Sequence, residues 1–275
     1  MLRKIEQLRE EYKSTVVRKG TPSLFFLYFW LTKFLSFLQQ HSEFLNHLVH
    51  RVVHHLPHPE FTIRNNSGTF IVQPFDDSTA ICSDYFEAHL RPWLTRPLHK
   101  DLFIDIGANR GLYTILALTT YGYSEVSAFE PNPDVAKILV QNAVLNNISD
   151  HMTVHTVGLG GTESVVHFTV DEMHKGGGRI VEHDTSAALT VPIKPLDAIL
   201  SDADALRTSF IKIDTEGYEF QVLSGMDKTL HSMPEGSCLM IESIDHDHLA
   251  TILAQYEFIH QETVAHDHLF MKRHA

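Results

Sequence analysis

From Leu102 onward, short apolar runs alternate with stretches whose apolar positions recur at helical spacing. Continuous apolar runs suit strands buried on both faces, and strands alternating with helices suit a parallel sheet covered by helices on each side. The pattern predicts strands over 102–106, 126–129, 152–157, 210–213 and 238–241, and helices over 112–120, 133–146 and 218–230. Pro133 fits an opening helical turn, where its missing N–H removes no hydrogen bond. Residues 165–170 and 189–193 are predicted as inserted strands flanking the glycine-rich loop 175–180, and 256–259 with 268–271 as a terminal pair. The predicted fold class is α/β, a doubly wound, Rossmann-like, mostly parallel sheet over residues 101–275.

Ahead of that alternation the pattern changes twice. Residues 59–100 read as a lead-in: a β-hairpin over 61–64 and 69–72 around the turn Asn65-Asn66-Ser67-Gly68, a polar helix over 85–90, and a link punctuated by Pro92 and Pro97. Residues 1–58 form a separate N-terminal helical segment. Residues 1–19 mix basic and acidic positions, Pro22 opens the aromatic run 23–38, and both stretches read as helices. A helix apolar nearly all round must be covered by the body of the protein, a second subunit or lipid. With Lys33 inside it, the run falls short of the roughly twenty apolar residues of a bilayer span. No small-residue cleavage site follows it. The expectation is packing, homo-oligomer contact or membrane-interface contact through residues 23–38, with Arg3, Lys4, Arg9, Lys13, Arg18 and Lys19 suited to an anionic lipid surface.

Composition narrows the function. With 43% hydrophobic and 20% charged residues, the 275-residue chain has the make-up of an ordinary folded protein. A formal net charge of -12 opposes a nucleic-acid backbone, which is bound by clustered Lys and Arg. Cys82 and Cys238, without C-x-x-C spacing, ask for no oxidising compartment, so a cytoplasmic location is expected, peripheral at the membrane if the aromatic helix touches lipid. Among twenty histidines, His47, His50 and His54 fall at helical spacing, and 245–248 and 266–268 repeat an acid-histidine pattern. Neither cluster shows the paired spacing of structural zinc sites, so no resident metal is expected.

Two motifs sit at predicted strand ends, where open α/β sheets bind ligands. Asp105-Ile106-Gly107-Ala108-Asn109-Arg110-Gly111 closes the first strand. Its glycines allow a ligand close to the backbone, but the spacing is not the G-x-G-x-x-G that sets a pyrophosphate on a helix N-terminus. Asp105 instead suits a ligand carrying positive charge. Glu130-Pro131-Asn132-Pro133 ends the second strand, and Glu130 is placed to accept hydrogen bonds from ribose hydroxyls, although a strand-ending acid also commonly caps the next helix. Asp105, Gly107, Ala108, Asn109, Gly111, Glu130, Pro131 and Asn132 are therefore the candidate contacts to a nucleoside cofactor.

A third segment, Ile211-Lys212-Ile213-Asp214-Thr215-Glu216-Gly217 followed by Glu219, Val222-Leu223 and Gly225, completes a set that resembles the three marker segments of FkbM-type methyltransferases, over about 102–271. The resemblance implies a class I methyltransferase fold with a seven-stranded sheet whose last strand is antiparallel, S-adenosyl-L-methionine as cofactor, and O-methylation of a sugar, glycan or natural-product hydroxyl. Residues 1–58 lie outside it. Strand alternation puts Lys212 and Asp214 on one side, with Asp214 at the strand end. Methyl transfer needs in-line positioning and a base, and Asp214 and Glu216 are the leading candidates, set against a purely structural pairing of these acids with Lys212. Glu242 is a third candidate catalytic residue, His246 or His248 alternative bases, and His174 and Arg179 candidate acceptor contacts in the loop. The rival readings are an NAD-linked oxidoreductase, disfavoured by the glycine spacing, and a non-catalytic cofactor-binding or assembly subunit.

Overall fold

The five residues Leu102–Ile106 form strand β4, and every one of their side chains is buried, as the centre of a sheet covered on both faces requires. The computed structural model describes residues 15–19, 22–39, 59–73, 76–171, 174–181 and 188–273. They fall into two compact units, one drawn from Met1–Phe86 with Glu172–Lys175, the other from Glu87–Asp171 with Gly176–Ala275.

In the first unit, β1 (Val16–Lys19), β2 (Phe61–Asn65) and β3 (Gly68–Val72) make an antiparallel sheet in that order. The hairpin β2–β3 is as expected. Val16–Lys19 is a strand rather than part of a helix, because the β-branched pair Val16-Val17 lies against Arg64 and Ile63 on the open edge of β2. The remainder of that predicted helix, and His47, His50 and His54, lie outside the described residues. The aromatic run does form a helix, α1 (Pro22–Gln39). Phe25 and Phe29 are buried, with the Phe25 ring edge-on to Phe61 at 5.3 Å, whereas Leu27 and Trp30 are 63% and 46% exposed. Among the described residues no helix is long and apolar enough to cross a membrane.

The second unit follows the predicted alternation. After β4 come α2 (Leu112–Thr119), β5 (Glu125–Phe129), α3 (Pro133–Leu145), β6 (Met152–His155) and the short β7 (Gly158–Leu159). Then follow β8 (Ser164–Asp171), β9 (His174–Val181), β10 (Ala188–Lys194), α4 (Asp202–Arg207), β11 (Thr208–Ile213), α5 (Glu219–Leu223) and α6 (Asp227–Ser232). The chain closes with β12 (Cys238–Glu242), α7 (His246–Ala254), β13 (Phe258–Val264) and β14 (Asp267–Lys272). The main sheet has seven strands in the order β13-β14-β12-β11-β4-β5-β6. The central pairings are parallel, and β14 runs antiparallel to both neighbours. This is the Rossmann-like class I methyltransferase sheet, with its last strand reversed. One face packs Ile104, Ile106, Ile211, Ile213, Ile241 and Phe270, and the other Phe103, Phe210, Met240 and Leu269 with Tyr113.

Three further predictions differ from what the chain does. Residues 85–90 form turns rather than a helix, since Glu87 adopts a left-handed φ of 48° that no α-helix accommodates. The helix predicted over 218–230 is broken into α5 and α6 around Gly225, where a Cβ would overlap the Gly160 carbonyl oxygen. The glycine-rich segment 175–180 is not a loop but lies within β9, beside β8 in a four-stranded sheet of order β7-β10-β8-β9. Without branched side chains its glycines give no strand signal, and its neighbour β8 supplies the pairing.

Candidate active site

The loop leaving β4 is held by its backbone to two neighbouring strands. The amides of Gly107 and Ala108 both donate to the Phe129 carbonyl, each at 3.0 Å, and Asp214 N–H donates to Ile106 O at 3.1 Å. That closeness explains Gly107: it has φ 77°, and a Cβ would overlap the Asp214 carbonyl oxygen. Gly111, at φ 86°, precedes α2, and a Cβ there would run into the Leu139 side chain of α3. Between them Asn109 also takes a left-handed φ of 50°, which Asn tolerates better than most residues.

Glu130 ties this loop to the next one. Its Oε2 accepts from Asn109 N–H and its Oε1 from Asn132 N–H, both at 2.9 Å. Burial raises its carboxyl to about 7, against the lowering effect of those two amides. Each oxygen retains a second lone pair for a further donor. Asn132 caps α3, its side chain accepting from Asp134 N–H at 3.0 Å, and Pro131 lies between the two. Asp105 is 1% exposed. Thr114 Oγ1 donates to its Oδ2 at 2.7 Å, while Oδ1, like Asn109 Oδ1, is buried and has no hydrogen-bond partner among the described residues. Burial pushes the Asp105 carboxyl up, with Lys212 opposing. A buried acceptor left without a donor is unfavourable, and both oxygens have the chemistry to accept from a ligand's N–H groups.

Across the sheet, Asp105 lies directly opposite Lys212 on β11. Lys212 donates to Asp214 Oδ2 at 2.7 Å, and its ammonium sits 4.9 Å from the centre of the Tyr113 ring. Burial alone would pull the Lys212 ammonium down, but Asp214, Asp105 and Glu87 outweigh it and hold the proton in place. Asp214 is pulled the other way: burial disfavours its charge, and Lys212 with the hydrogen bond from Glu242 keeps it ionised. Glu242 is pushed up to about 8, first by burial and then by the Asp214 charge, so at neutral pH it holds the proton it donates to Asp214. Opposite Glu242 on β14 stands Asp267, raised to about 6 by burial and by Glu87 and Asp214. Tyr113 donates its hydroxyl to Glu87 Oε2 at 2.7 Å.

The fold thus brings Asp214 and Glu242 together. Glu216 stands at the exposed turn beyond them with φ 54°, near enough for its charge to act on Glu242. The pairing of Lys212 with Asp214, anticipated as a structural alternative, is present. His248 instead stacks on Phe220 at 4.5 Å, and His246 joins His260 and His268, so neither is part of this carboxylate group. Glu219, Glu87 and Asp267 were missed as site residues. Glu219 Oε1 accepts from Thr215 N–H, Thr215 Oγ1 and Gly217 N–H at 3.2, 3.0 and 2.9 Å, fixing the turn that carries Asp214 and Glu216. Its position in the third marker segment was the available signal. Glu87 comes from a turn that reads as a helix, and no local pattern marks it.

A family model for the methyltransferase FkbM domain matches residues 105–270, which runs from the acid ending β4 into β14. The chain belongs to the FkbM methyltransferase family. Its FkbM domain contains all three marker segments and the Asp214–Glu242 pair. Among curated proteins, the chain is similar to Methyltransferase 1 of Beauveria bassiana, at 28% identity over 48% of this chain and 61% of the relative. It is also similar to the hexuronic acid methyltransferase AglP of Haloferax volcanii, at 26% identity over 52% of this chain and 57% of the relative. It therefore spans about three fifths of the length of these relatives. Among solved structures, an FkbM methyltransferase from Methylobacillus flagellatus is similar at 20% identity, TM-score 0.46, covering 68% of this chain and 46% of that one.

Proposed function

We propose that this FkbM domain methylates a hydroxyl of a sugar, glycan or natural product with S-adenosyl-L-methionine. The observation that carries the reading is the buried, unpartnered Oδ1 of Asp105 beside a loop opened by Gly107 and Gly111. A site built for pyrophosphate would not bury a carboxylate there, because like charges repel, whereas an ammonium or amide donor satisfies it. When bound, the cofactor supplies a methyl group on a sulfonium, already electrophilic enough to need no further activation. We assign its binding to Asp105, Gly107, Ala108, Asn109, Gly111, Glu130, Pro131 and Asn132, with the remaining lone pairs of Glu130 for the ribose hydroxyls.

The chain's remaining task is to orient the acceptor hydroxyl and take its proton. We assign that to the Asp214–Glu242 pair, with Lys212 and Glu219 positioning it and Glu216 at its rim. Glu242 is the stronger base, and it becomes available once ionised, at a pH above about 8. The similarity to a hexuronic acid methyltransferase supports a sugar as acceptor.

Labelled-methyl transfer to glycan acceptors, measured across pH, tests this assignment. Turnover of the wild type should rise through about pH 8. Glu242→Gln should abolish the rise and lower turnover by about 10²-fold or more. Near-normal turnover in both Glu242→Gln and Asp214→Asn would remove the pair from the chemistry.

A further inference from the structure

The histidine clusters at 245–248 and 266–268 are unrelated in sequence, yet folding draws one histidine from each to a common place with a third. His246 opens α7, His260 lies on β13 and His268 on β14, and one ring nitrogen of each is within 4.8 Å of the others. The ring centres of His246 are 4.5 Å from His260 and 5.0 Å from His268. A bulge makes this possible. His260 pairs with Phe270 and Thr263 with His268, while Gln261 is the extra residue in the register. In a regular strand, positions 260 and 263 face opposite sides, and the inserted residue turns both toward the face that carries His268 and Phe270.

Their neighbours fix which nitrogens carry lone pairs. His268 Nε2 is 2.9 Å from the Ser243 carbonyl oxygen, so that nitrogen donates, and Nδ1, 2.9 Å from Thr263 Oγ1, is the acceptor. His246 Nδ1 is 3.3 Å from Asp247 Oδ1 and donates to that carboxylate. This leaves Nε2 of His246 as an acceptor, and it is buried with no hydrogen-bond partner among the described residues. His260 Nε2 lies 2.7 Å from the same Thr263 hydroxyl, whose single proton goes to His268 Nδ1, so Nε2 donates here and the lone pair of His260 is on Nδ1. Imidazoles whose second nitrogen donates to a carboxylate or a backbone carbonyl are oriented as metal ligands are.

We propose that His246, His260 and His268 bind a divalent transition-metal ion of the zinc class. Neutral imidazoles select such ions over magnesium or calcium, which prefer oxygen ligands. Bond lengths of about 2.0–2.1 Å require the three nitrogens to draw together, which rotation of the partly exposed His260 on the edge strand permits. An ion at His268 Nδ1 displaces the Thr263 hydroxyl from that lone pair, and water completes the coordination. The ion ties the start of α7 to the β13–β14 hairpin. It is a structural ion: Ser243, which accepts from His268, follows Glu242, and Asp267 precedes His268, so the tie steadies the strand ends that carry the carboxylates. The inference does not depend on the cofactor or acceptor proposed above.

The test uses the full chain, stripped with chelator and dialysed, then titrated with Co²⁺ followed by visible absorption and with Zn²⁺ followed by calorimetry. One equivalent should bind, with a cobalt ligand-field spectrum and a raised Tm on adding zinc. His246→Ala and His260→Gln should each weaken binding about tenfold or more while leaving the metal-free Tm and circular dichroism near wild type. The proposal is overturned if the folded wild type takes up neither ion, or if uptake is unchanged in both variants, which would assign it to other histidines of the chain.

Discussion

Gly107 and Gly111 share a left-handed backbone, yet what a side chain would meet differs between them. At Gly107 the obstacle is the backbone carbonyl of Asp214, fixed by the hydrogen bond between β4 and the end of β11. At Gly111 it is the far end of the Leu139 side chain, which can rotate aside. Both substitutions by alanine incur the strain of a positive φ, about 1–2 kcal/mol. Gly107→Ala must in addition push β4 and β11 apart at their ends, so its loss should exceed about 3 kcal/mol, against about 1–2 kcal/mol for Gly111→Ala. Denaturant unfolding of the two variants compares them directly, and a milder loss at Gly107 would contradict the close approach of the β4 loop to Asp214. The same approach places Asp214 beside the end of β4, so Gly107 also sets the spacing between the β4 loop and the Asp214–Glu242 pair, the two parts of the site proposed above.

At the scale of elements, the strands and helices from Leu102 onward were legible because each is long enough to show its own periodicity. The apolar run 102–106 and the Pro-opened helix from 133 are examples. The failures have tertiary causes. Val16–Lys19 sits in a charged stretch that reads as helix, and only the free edge of β2 decides its pairing. The segment 175–180 is rich in glycine, so its pairing in β9 comes from a neighbouring strand and not from its own residues. Between α5 and α6, Gly225 is required by the approach of the Gly160 carbonyl, far away in sequence. The candidate site residues divide the same way. The positions of Asp105, Glu130, Asp214 and Glu242 at or just past strand ends could be read from the sequence, whereas the placement of Glu87 and Asp267 beside them and the grouping of three histidines depend on tertiary structure.

For the molecule as a whole, the buried carboxyls set a pH dependence of stability. Burial raises Glu130 to about 7 and Glu242 to about 8, both from 4.5, and Asp267 to about 6 from 3.8. The folded chain therefore holds protons that the unfolded chain releases. The stability they contribute is full below the unfolded pKa values and is lost as pH rises through the folded ones. Asp214, held ionised by Lys212, contributes in the opposite sense, above its ordinary pKa. The unfolding midpoint of the cofactor-free chain should fall between about pH 5 and pH 8, and Glu242→Gln should flatten that fall. Burial disfavours the protonated forms of His155, His260 and His268 and adds a rise over part of this range, so the comparison with Glu242→Gln decides: a pH slope left unchanged by that substitution would show Glu242 to be ionised throughout. The orphaned Asp105 oxygen and the Glu130 carboxyl, which bridges the Asn109 and Asn132 amides, are the groups we assign to the nucleoside of the methyl donor. Calorimetric titration of the folded chain with S-adenosylhomocysteine tests that most directly. One equivalent should bind, and Asp105→Asn and Glu130→Gln should each weaken binding by about tenfold or more with Tm retained. Absence of binding by the folded wild type would contradict the account.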